Sequence, residues 1–301
     1  MTNTGTRLPA GVADAPPSGL QPPPVLDSPL FNECTVCLRR AGFTADYAAR
    51  TAELLVVFTG LLSDWNRRFN LVSRSAAFEE LVCDALADAA VLTRVLPDEG
   101  DIVDAGAGAG LVAFPLSLLL PGRRFVLFEP RRHRAHFLQR LAGLGWGAEL
   151  RGCADTALPE STVECLEGEP SPFRRGSGGD EGEETTDGEP FALKPADYRL
   201  DWIIRAERVE EGSIDPHAVE AAGLNRPVVY TRATWRPAAA WEACRRLLAP
   251  GGELVCLCGP DEPPPDSDWR LTTYEELLPE AGRRNKHRLL RRRLNPYVAR
   301  V

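Results

Sequence analysis

A helical stripe of apolar side chains marks the N-terminal third of the chain. Its members recur at three- and four-residue spacing: Leu54, Leu55, Phe58, Leu61, Leu62 and Trp65. This spacing puts them on one face of a helix, and Asp46 is positioned to cap its start. Residues 31–94 are therefore predicted to form a helical cap. Residues 1–30 are rich in Pro, Gly and Ala without such periodicity, and are predicted to be a disordered tail.

From residue 101 the pattern changes to short apolar runs separated by helical stretches. The predicted strands are residues 102–104, 125–129, 149–151, 202–209, 228–232 and 254–258, with helices near 131–144 and 238–248. Strands that alternate with helices form parallel sheets covered on both faces. Residues 95–301 are therefore predicted to form one α/β domain, interrupted by an acidic insertion at about 159–195.

The charge of the chain is distributed very unevenly. The net charge is −8, but residues 160–190 alone contain ten acidic residues and two arginines, so the remaining chain is neutral. Residues 281–301 contain eight Lys or Arg and no acid. Within them, residues 286–293 are predicted to be a basic strand or short helix. This segment either binds an RNA backbone, or forms a solvated face or a partner for the acidic insertion.

Composition and cysteine usage exclude several classes of protein. The chain has 301 residues, 44% of them hydrophobic and 26% charged, which is typical of globular proteins. The longest apolar run, residues 111–120, is about half a membrane span, so no membrane helix is predicted. No export signal is visible, so a cytoplasmic protein with reduced cysteines is expected. Cys34-x-x-Cys37 lacks a second pair at suitable spacing, and no metal site is predicted.

The most informative segment runs from Asp104 to Gly110. An apolar strand ends at the carboxylate of Asp104, and glycines follow at alternate positions, Gly106, Gly108 and Gly110, before a predicted helix. Glycines let a backbone approach a ligand closely, and the helix start offers unpaired N–H groups. The pattern indicates a cofactor loop, although ordinary turn chemistry and dinucleotide binding also fit it.

Two carboxylates narrow the choice of cofactor. Glu129 ends the second predicted strand, nineteen residues after Gly110, where a carboxylate accepts hydrogen bonds from a ribose diol. An acid just before the glycines would repel a pyrophosphate, so Asp104 favours a cofactor with an amino group or a sulfonium charge. Together with the Pro250-Gly251-Gly252 turn before a late strand, the pattern resembles class I S-adenosylmethionine methyltransferases.

Longer segments fit the motifs of one family of these enzymes. Residues 65–71 resemble a W-N-x-x-x-N-L helix end, residues 104–116 a D-x-G-x-G-x-G-x-x-x-x-P-L segment, and residues 128–138 a strand, an acid, a basic pair and F-L. Thr231-Arg232-Ala233 resembles an S-R-A segment, and residues 208–211 an R-V-E-E loop. Over residues 45–260 the chain thus resembles the bacterial 16S rRNA guanine-N7 methyltransferases, also called the glucose-inhibited-division protein B family.

The chain departs from this family on the substrate side. The family's R-H-x-x-D-S segment falls on residues 83–88, and in that register the Arg, His, Asp and Ser are all lost. Val112-Ala113 replaces a Pro-Gly pair after the glycine loop. The methyl acceptor is therefore less well defined by the sequence than the cofactor.

The resemblance implies a Rossmann-like class I methyltransferase fold, with S-adenosylmethionine as cofactor and N7 of a 16S rRNA guanine as acceptor. The partner would be ribosomal RNA or the small ribosomal subunit, and a monomer without metal or membrane contact is expected. The implied cofactor-binding residues are Asp104, Gly106, Ala107, Gly108, Gly110, Leu111, Glu129, Pro130, Val209 and Glu210. Asp155 is an alternative to Glu210 beside the adenine.

Arg232 is the predicted catalytic residue. It follows the fourth strand of the resemblance, at the sheet edge where ligands of open α/β sheets bind, and is expected to contact phosphate or the guanine O6/N7 edge. The alternative is an arginine in a structural ion pair. Guanine N7 has an exposed lone pair, so orientation matters more than a general base. Two other functions stay open: methylation of a small molecule or protein, and a non-catalytic RNA- or partner-binding module.

Overall fold

Three helices precede the first strand, in the region where the apolar pattern predicts helical structure. The computed structural model describes residues 28–73, 77–144, 200–205, 227–232, 234–248, 250–279 and 287–295. The helices are α1 (Pro29–Arg40), α2 (Ala45–Arg68), α3 (Phe78–Leu92), α4 (Ala113–Leu119), α5 (Arg132–Ala142), α6 (Pro237–Cys244) and α7 (Tyr274–Leu277). The strands are β1 (Ile102–Ala105), β2 (Phe125–Phe128), β3 (Trp202–Arg205), β4 (Val228–Arg232), β5 (Glu253–Cys258), β6 (Arg270–Thr273) and β7 (Arg288–Arg293).

Helix α2 is the long amphipathic helix of the predicted stripe, but its cap differs from the prediction. Leu54, Leu55, Phe58 and Leu62 are buried along one face. The prediction that Asp46 caps the helix is wrong, because Thr44 is the N-cap and its Oγ1 accepts from the Tyr47 N–H at 3.4 Å. Asp46 lies inside the first turn, where its negative charge stabilises the helix by interacting with the positive end of the helix dipole.

The sheet has the strand order β3-β2-β1-β4-β5-β7-β6. The first five strands in this order pair in parallel, whereas β7 runs antiparallel to both β5 and β6. A reversed strand at this position, with helices on both faces, makes this the Rossmann-like class I methyltransferase fold. The order of the strands reverses between β1 and β4, which is where open α/β sheets bind ligands.

Alternate side chains of the strands face two different helical layers. Ile102 of β1 and Tyr230 of β4 belong to the core shared with α1–α5, whereas Val103 and Val229 pack on the side of α6. Asp104 lies two residues after Ile102, and Arg232 two residues after Tyr230. Both side chains are therefore on the side of α1–α5. Among the described residues, no helix is long and apolar enough to cross a membrane.

Several predicted segments lie outside the described residues. These are the N-terminal tail up to residue 27, the predicted strand at 149–151, residues 206–209 of the predicted strand at 202–209, and the acidic insertion. Helices α1–α3 share one apolar core with α4 and α5. The division into tail, helical cap and catalytic domain stays a prediction.

Candidate cofactor and substrate site

The glycine loop connects β1 to α4 at the carboxyl edge of the sheet. Gly106, Gly108 and Gly110 all have positive φ, at 92°, 59° and 73°. A Cβ on Gly106 would overlap the Thr234 side chain, and one on Gly110 would lie 2.8 Å from Leu138 Cδ2. The loop therefore requires glycine for both conformation and space.

The loop is fastened to the end of β2 by main-chain hydrogen bonds. The N–H groups of Gly106 and Ala107 both donate to the Phe128 carbonyl, at 3.0 Å each. The Thr231 hydroxyl donates to the Ala105 carbonyl at 2.9 Å from the other side. The end of β1 is thus fixed between β2 and β4, and the glycine loop starts from a rigid point.

Glu129 lies directly after β2, and its carboxylate is held by the main chain. It is only 3% exposed. Its Oε2 accepts from the Gly108 N–H at 2.9 Å and its Oε1 from the Arg131 N–H at 2.8 Å. A carboxylate has about four acceptor positions, so each oxygen retains acceptor capacity for a further donor such as a ribose hydroxyl.

Asp104 is a buried carboxyl at the centre of the site. The Tyr230 hydroxyl donates to its Oδ2 at 2.6 Å. Burial raises the Asp104 pKa to about 7, and the Glu129 charge adds to this, while the Tyr230 hydrogen bond and the Arg232 charge oppose it. Burial and the Asp104 charge also hold the Tyr230 pKa well above its ordinary value, so the phenol remains a donor.

Arg232 forms an ion pair with a carboxylate from the helical layer. Its Nε lies 2.6 Å from Oδ2 of Asp88, and the Arg232 side chain is 22% exposed while that of Asp88 is fully buried. The Tyr274 hydroxyl donates to Asp88 Oδ1 at 2.6 Å, and His287 Nδ1 lies 3.3 Å from the same oxygen. Asp88, Tyr274 and His287 thus form a cluster that joins α3, α7 and the start of β7, and this cluster holds the Arg232 side chain in place.

The Asp88 cluster is not predicted by the sequence motifs. Asp88 is the last residue of the segment where the family's R-H-x-x-D-S residues are lost, one position after the expected aspartate. Its signal in the sequence is an isolated acid in an apolar stretch of α3, where Ala85–Leu92 are otherwise uncharged and buried. An acid in such a place requires a partner, but the sequence does not indicate which one.

The structure brings together only part of the predicted site. Asp104, the glycine loop, Glu129 and Arg232 all lie at the carboxyl ends of β1, β2 and β4. Leu111 is half-buried against the core, and Pro130 is exposed beside Glu129. Val209, Glu210 and Asp155 lie outside the described residues, so which residue borders the adenine stays a prediction.

Asn66 and the cysteines behave as structural residues. The Asn66 side chain is buried, and its Oδ1 accepts from the N–H groups of Leu71 and Val72 at 2.8 and 2.9 Å, so it holds the turn after α2. Cys34 is a buried thiol and Cys37 a partly buried one. A hydrogen bond with Cys83 and burial raise the pKa of the Cys34 thiol, so it stays protonated and unreactive.

The basic segment before the C-terminus is the strand β7, and two of its arginines are paired within the chain. Arg291 contacts Glu253 at 2.8 Å. Arg292 contacts Asp268 at 2.8 Å and Asp266 at 3.3 Å, and its guanidinium lies 4.4 Å from the Trp241 ring centroid. These acids belong to β5 and to the loop before β6, and not to the predicted insertion.

Comparison with known proteins identifies the segment that contains most of this site. Residues 51–144 match the family model of the rRNA small subunit methyltransferase G. Ribosomal RNA small subunit methyltransferase G of Nitratidesulfovibrio vulgaris is 38% identical over 111 residues, which are 36% of this chain and 50% of that protein. Ribosomal RNA small subunit methyltransferase G 1 of Syntrophobacter fumaroxidans is 37% identical over 94 residues, 31% of this chain and 42% of that protein.

A solved methyltransferase from Geobacter sulfurreducens is 14% identical, with a TM-score of 0.38 over 80% of this chain and 88% of its own. The chain spans half or less of the two curated relatives above. The matched residues include α3, the glycine loop, Glu129 and α5, whereas Arg232 lies beyond them. Over residues 51–144 this chain is therefore similar to the rRNA small subunit methyltransferase G family, whereas the motifs at residues 208–211 and 231–233 lie outside the matched segment.

Proposed function

We propose that this protein transfers the methyl group of S-adenosylmethionine to N7 of a guanine in 16S ribosomal RNA. The observation that supports this most is the Glu129 carboxylate, which two main-chain N–H groups hold beside the glycine loop. The family match over residues 51–144 is a second support. The third is Arg232, a partly exposed cation at the end of β4.

The residues of the site suit the proposed cofactor. Glu129 has acceptor capacity for the two ribose hydroxyls, and Pro130, Val209 and Glu210 would border the adenine. Gly106, Ala107, Gly108, Gly110 and Leu111 would lie along the methionine part. At Gly108 the nearest atom to an added Cβ would be Arg134 Nη1 at 3.9 Å, so the missing side chain leaves room for close approach there. The charged form of Asp104 would be stabilised by the cationic amino or sulfonium group, which offsets the cost of its burial.

The chemistry requires little beyond orientation from the protein. S-adenosylmethionine supplies an electrophilic methyl group on a sulfonium sulfur. In the proposed transfer, a bond from guanine N7 to the methyl carbon would form as the carbon–sulfur bond breaks, so that the positive charge would pass to the base without a proton transfer. Arg232, held by Asp88, would orient the phosphate or the O6/N7 edge of the guanine.

The direct test is transfer of labelled methyl to small ribosomal subunits that lack the guanine-N7 mark, with bare rRNA assayed in parallel. We expect label in 7-methylguanine. Binding of S-adenosylmethionine without transfer to either RNA substrate would reject the proposed acceptor, and would favour a small molecule or a protein. Absence of both binding and transfer would reject the enzyme and leave a non-catalytic module.

Glu129→Gln is expected to weaken S-adenosylmethionine binding at least tenfold. The amide has only one accepting oxygen, so its NH₂ group would face one of the two main-chain donors, and a charge-assisted bond to the ribose would be lost at a cost of about 1.5–3 kcal/mol. Isothermal titration calorimetry measures the affinity. Glu99→Gln, an exposed site before β1, is the control, and equal affinities for the two variants would contradict the assignment.

Arg232→Lys is expected to lower methyl transfer by one to two orders of magnitude while S-adenosylmethionine binding stays unchanged. Lysine retains a positive charge for Asp88 but lacks the planar, two-pronged guanidinium that fits a phosphate or a guanine edge. Single-turnover transfer and thermal unfolding should be measured together. A variant that folds and transfers methyl at the wild-type rate would leave Arg232 with only its structural ion pair.

A further inference from the structure

Helix α5 exposes an arginine- and histidine-rich face next to the candidate site. Its buried side consists of Ala135, Phe137, Leu138 and Leu141. Its exposed side, together with the residue before it, consists of Arg131, Arg132, His133, His136, Gln139 and Arg140. The helix contains no acidic residue from Arg132 to Ala142. This face therefore has a net positive charge without acids of its own helix to balance it.

The end of α2 extends this face. Phe69 stacks on His133 with ring centroids 4.8 Å apart, and Trp65 meets His136 edge-on at 5.7 Å. Arg67 and Arg68, in the last turn of α2, are both exposed. Arg67 lies 3.5 Å from Asp64. We name the exposed Arg67, Arg68, Arg131, Arg132, His133, His136 and Arg140 the α5 surface.

Helix stability does not account for the charges at the start of α5. The first turn consists of Arg132, His133 and Arg134, and Arg131 precedes it. This turn has no acidic residue and no side-chain cap. Positive charges at a helix N-terminus oppose the helix dipole. Burial lowers the pKa of Arg134 and the charge of Arg131 lowers it further, whereas Glu129, whose Oε2 lies 4.0 Å from Arg134 Nη1, opposes the shift. An anionic partner on the exposed side would offset the unfavourable interaction of Arg131 and Arg132 with the helix dipole.

The position of the α5 surface relates it to the candidate site. The Arg131 N–H donates to Glu129 Oε1, and Arg134 Nη1 would lie 3.9 Å from a Cβ placed on Gly108. The surface thus begins at the edge of the proposed cofactor site. By contrast, Arg291 and Arg292 of β7, in the segment that the charge pattern singled out, are already paired with acids.

We propose that the α5 surface binds the phosphate backbone of the rRNA next to the guanine that is methylated. This rests on the proposed function, because it names the surface that holds the same substrate. Arginines contact phosphates through their guanidinium N–H groups, and the exposed His133 ring with Phe69 behind it offers a flat face on which an unpaired base can stack.

The test compares two triple variants that remove the same amount of charge. R68Q/R132Q/R140Q removes three of the five arginines of the α5 surface, and R39Q/R246Q/R270Q removes three exposed arginines elsewhere. Binding of fluorescently labelled 16S rRNA is measured by anisotropy at several salt concentrations. We expect the first variant to bind at least tenfold more weakly. The slope of log binding constant against log salt concentration should be shallower by about 2, for three lost phosphate contacts. The control should match wild type.

The outcomes separate this inference from the proposed function. Three results would overturn the inference. The first variant could bind rRNA with wild-type affinity and salt dependence, both variants could lose affinity equally, or the wild type could fail to bind rRNA. Methyl transfer by the wild type is assayed separately. If the wild type binds rRNA but transfers no methyl, and the first variant loses RNA binding, the proposed function is rejected and the RNA-binding role of the α5 surface is supported. R132E is a second variant if the triple variant unfolds, and it should weaken binding by the same criterion.

Discussion

Asp104→Asn is expected to raise the free energy of unfolding above pH 7 while it weakens S-adenosylmethionine binding. In the wild type, burial raises the Asp104 pKa from 3.8 to about 7. A raised carboxyl pKa means that the folded protein retains a proton which the unfolded chain releases. Stability contributed by this group therefore decreases as the pH rises from about 4 to about 7, and the full penalty is present above pH 7.

The size of this effect follows from the pKa difference. About three units correspond to roughly 4 kcal/mol at most, by the conversion of 1.36 kcal/mol per unit. Asparagine removes the charge but retains a side-chain oxygen that can accept from the Tyr230 hydroxyl. Denaturant unfolding at pH 5 and pH 8 measures the effect as the difference between variant and wild type. Asp98→Asn, at an exposed site, is the control variant.

The same substitution should cost about tenfold in S-adenosylmethionine affinity, or roughly 1.4 kcal/mol, because it removes the negative charge that faces the proposed cation. Calorimetric titration at pH 8 measures this loss. A variant more stable than wild type and weaker in binding would mean that the buried charge is kept for the ligand. Unchanged affinity would remove Asp104 from the proposed cofactor site, even if the stability change is found.

Asp88→Ala is expected to lower the free energy of unfolding by about 3 kcal/mol, the range seen when one partner of a buried ion pair is removed. The substitution leaves the Arg232 guanidinium without its counter-ion and removes the acceptor of the Tyr274 hydroxyl. Burial and the charge of Asp88 hold the Tyr274 pKa well above its ordinary value, so this phenol remains a donor. Thermal and urea unfolding measure the loss.

A double-mutant cycle identifies the cause of that loss. Asp88→Ala with Arg232→Ala should cost less than the sum of the single changes, because the second substitution removes the unpaired cation that the first one leaves. Glu80→Ala, on the exposed side of the same helix, should change stability by no more than about 0.5 kcal/mol. Additive single changes would show that Asp88 and Arg232 are independent, and that the ion pair does not stabilise the fold.

The part of the fold that the sequence predicts consists of buried apolar strands. β1, β2, β4 and β5 are predicted to within one residue at each end, since their side chains are buried on both faces and form apolar runs. β6 is not predicted, because three of its four residues are polar and its first two residues are exposed. β7 contains four arginines, so its pattern leaves strand and helix equally open.

The candidate site divides in the same way. Asp104, the glycines and Glu129 lie within 26 residues of sequence, so the spacing of the motif is enough to define them. The partners of Asp88 cannot be found by spacing, because Tyr274 and His287 lie 186 and 199 residues away. Similarly, Tyr230 beside Asp104 follows from the pairing of β1 with β4, across 126 residues. Local chemistry is visible in the sequence, and long-range pairing is not.

The arrangement of β7 has a consequence for biosynthesis. This strand inserts between β5 and β6, and the residue before it, His287, completes the environment of Asp88. During translation β5 therefore has an open edge until β7 leaves the ribosomal exit tunnel, and unpaired strand edges favour aggregation. The parallel half of the sheet can assemble while synthesis continues, whereas the anchoring of Arg232 is completed only after β7 has emerged.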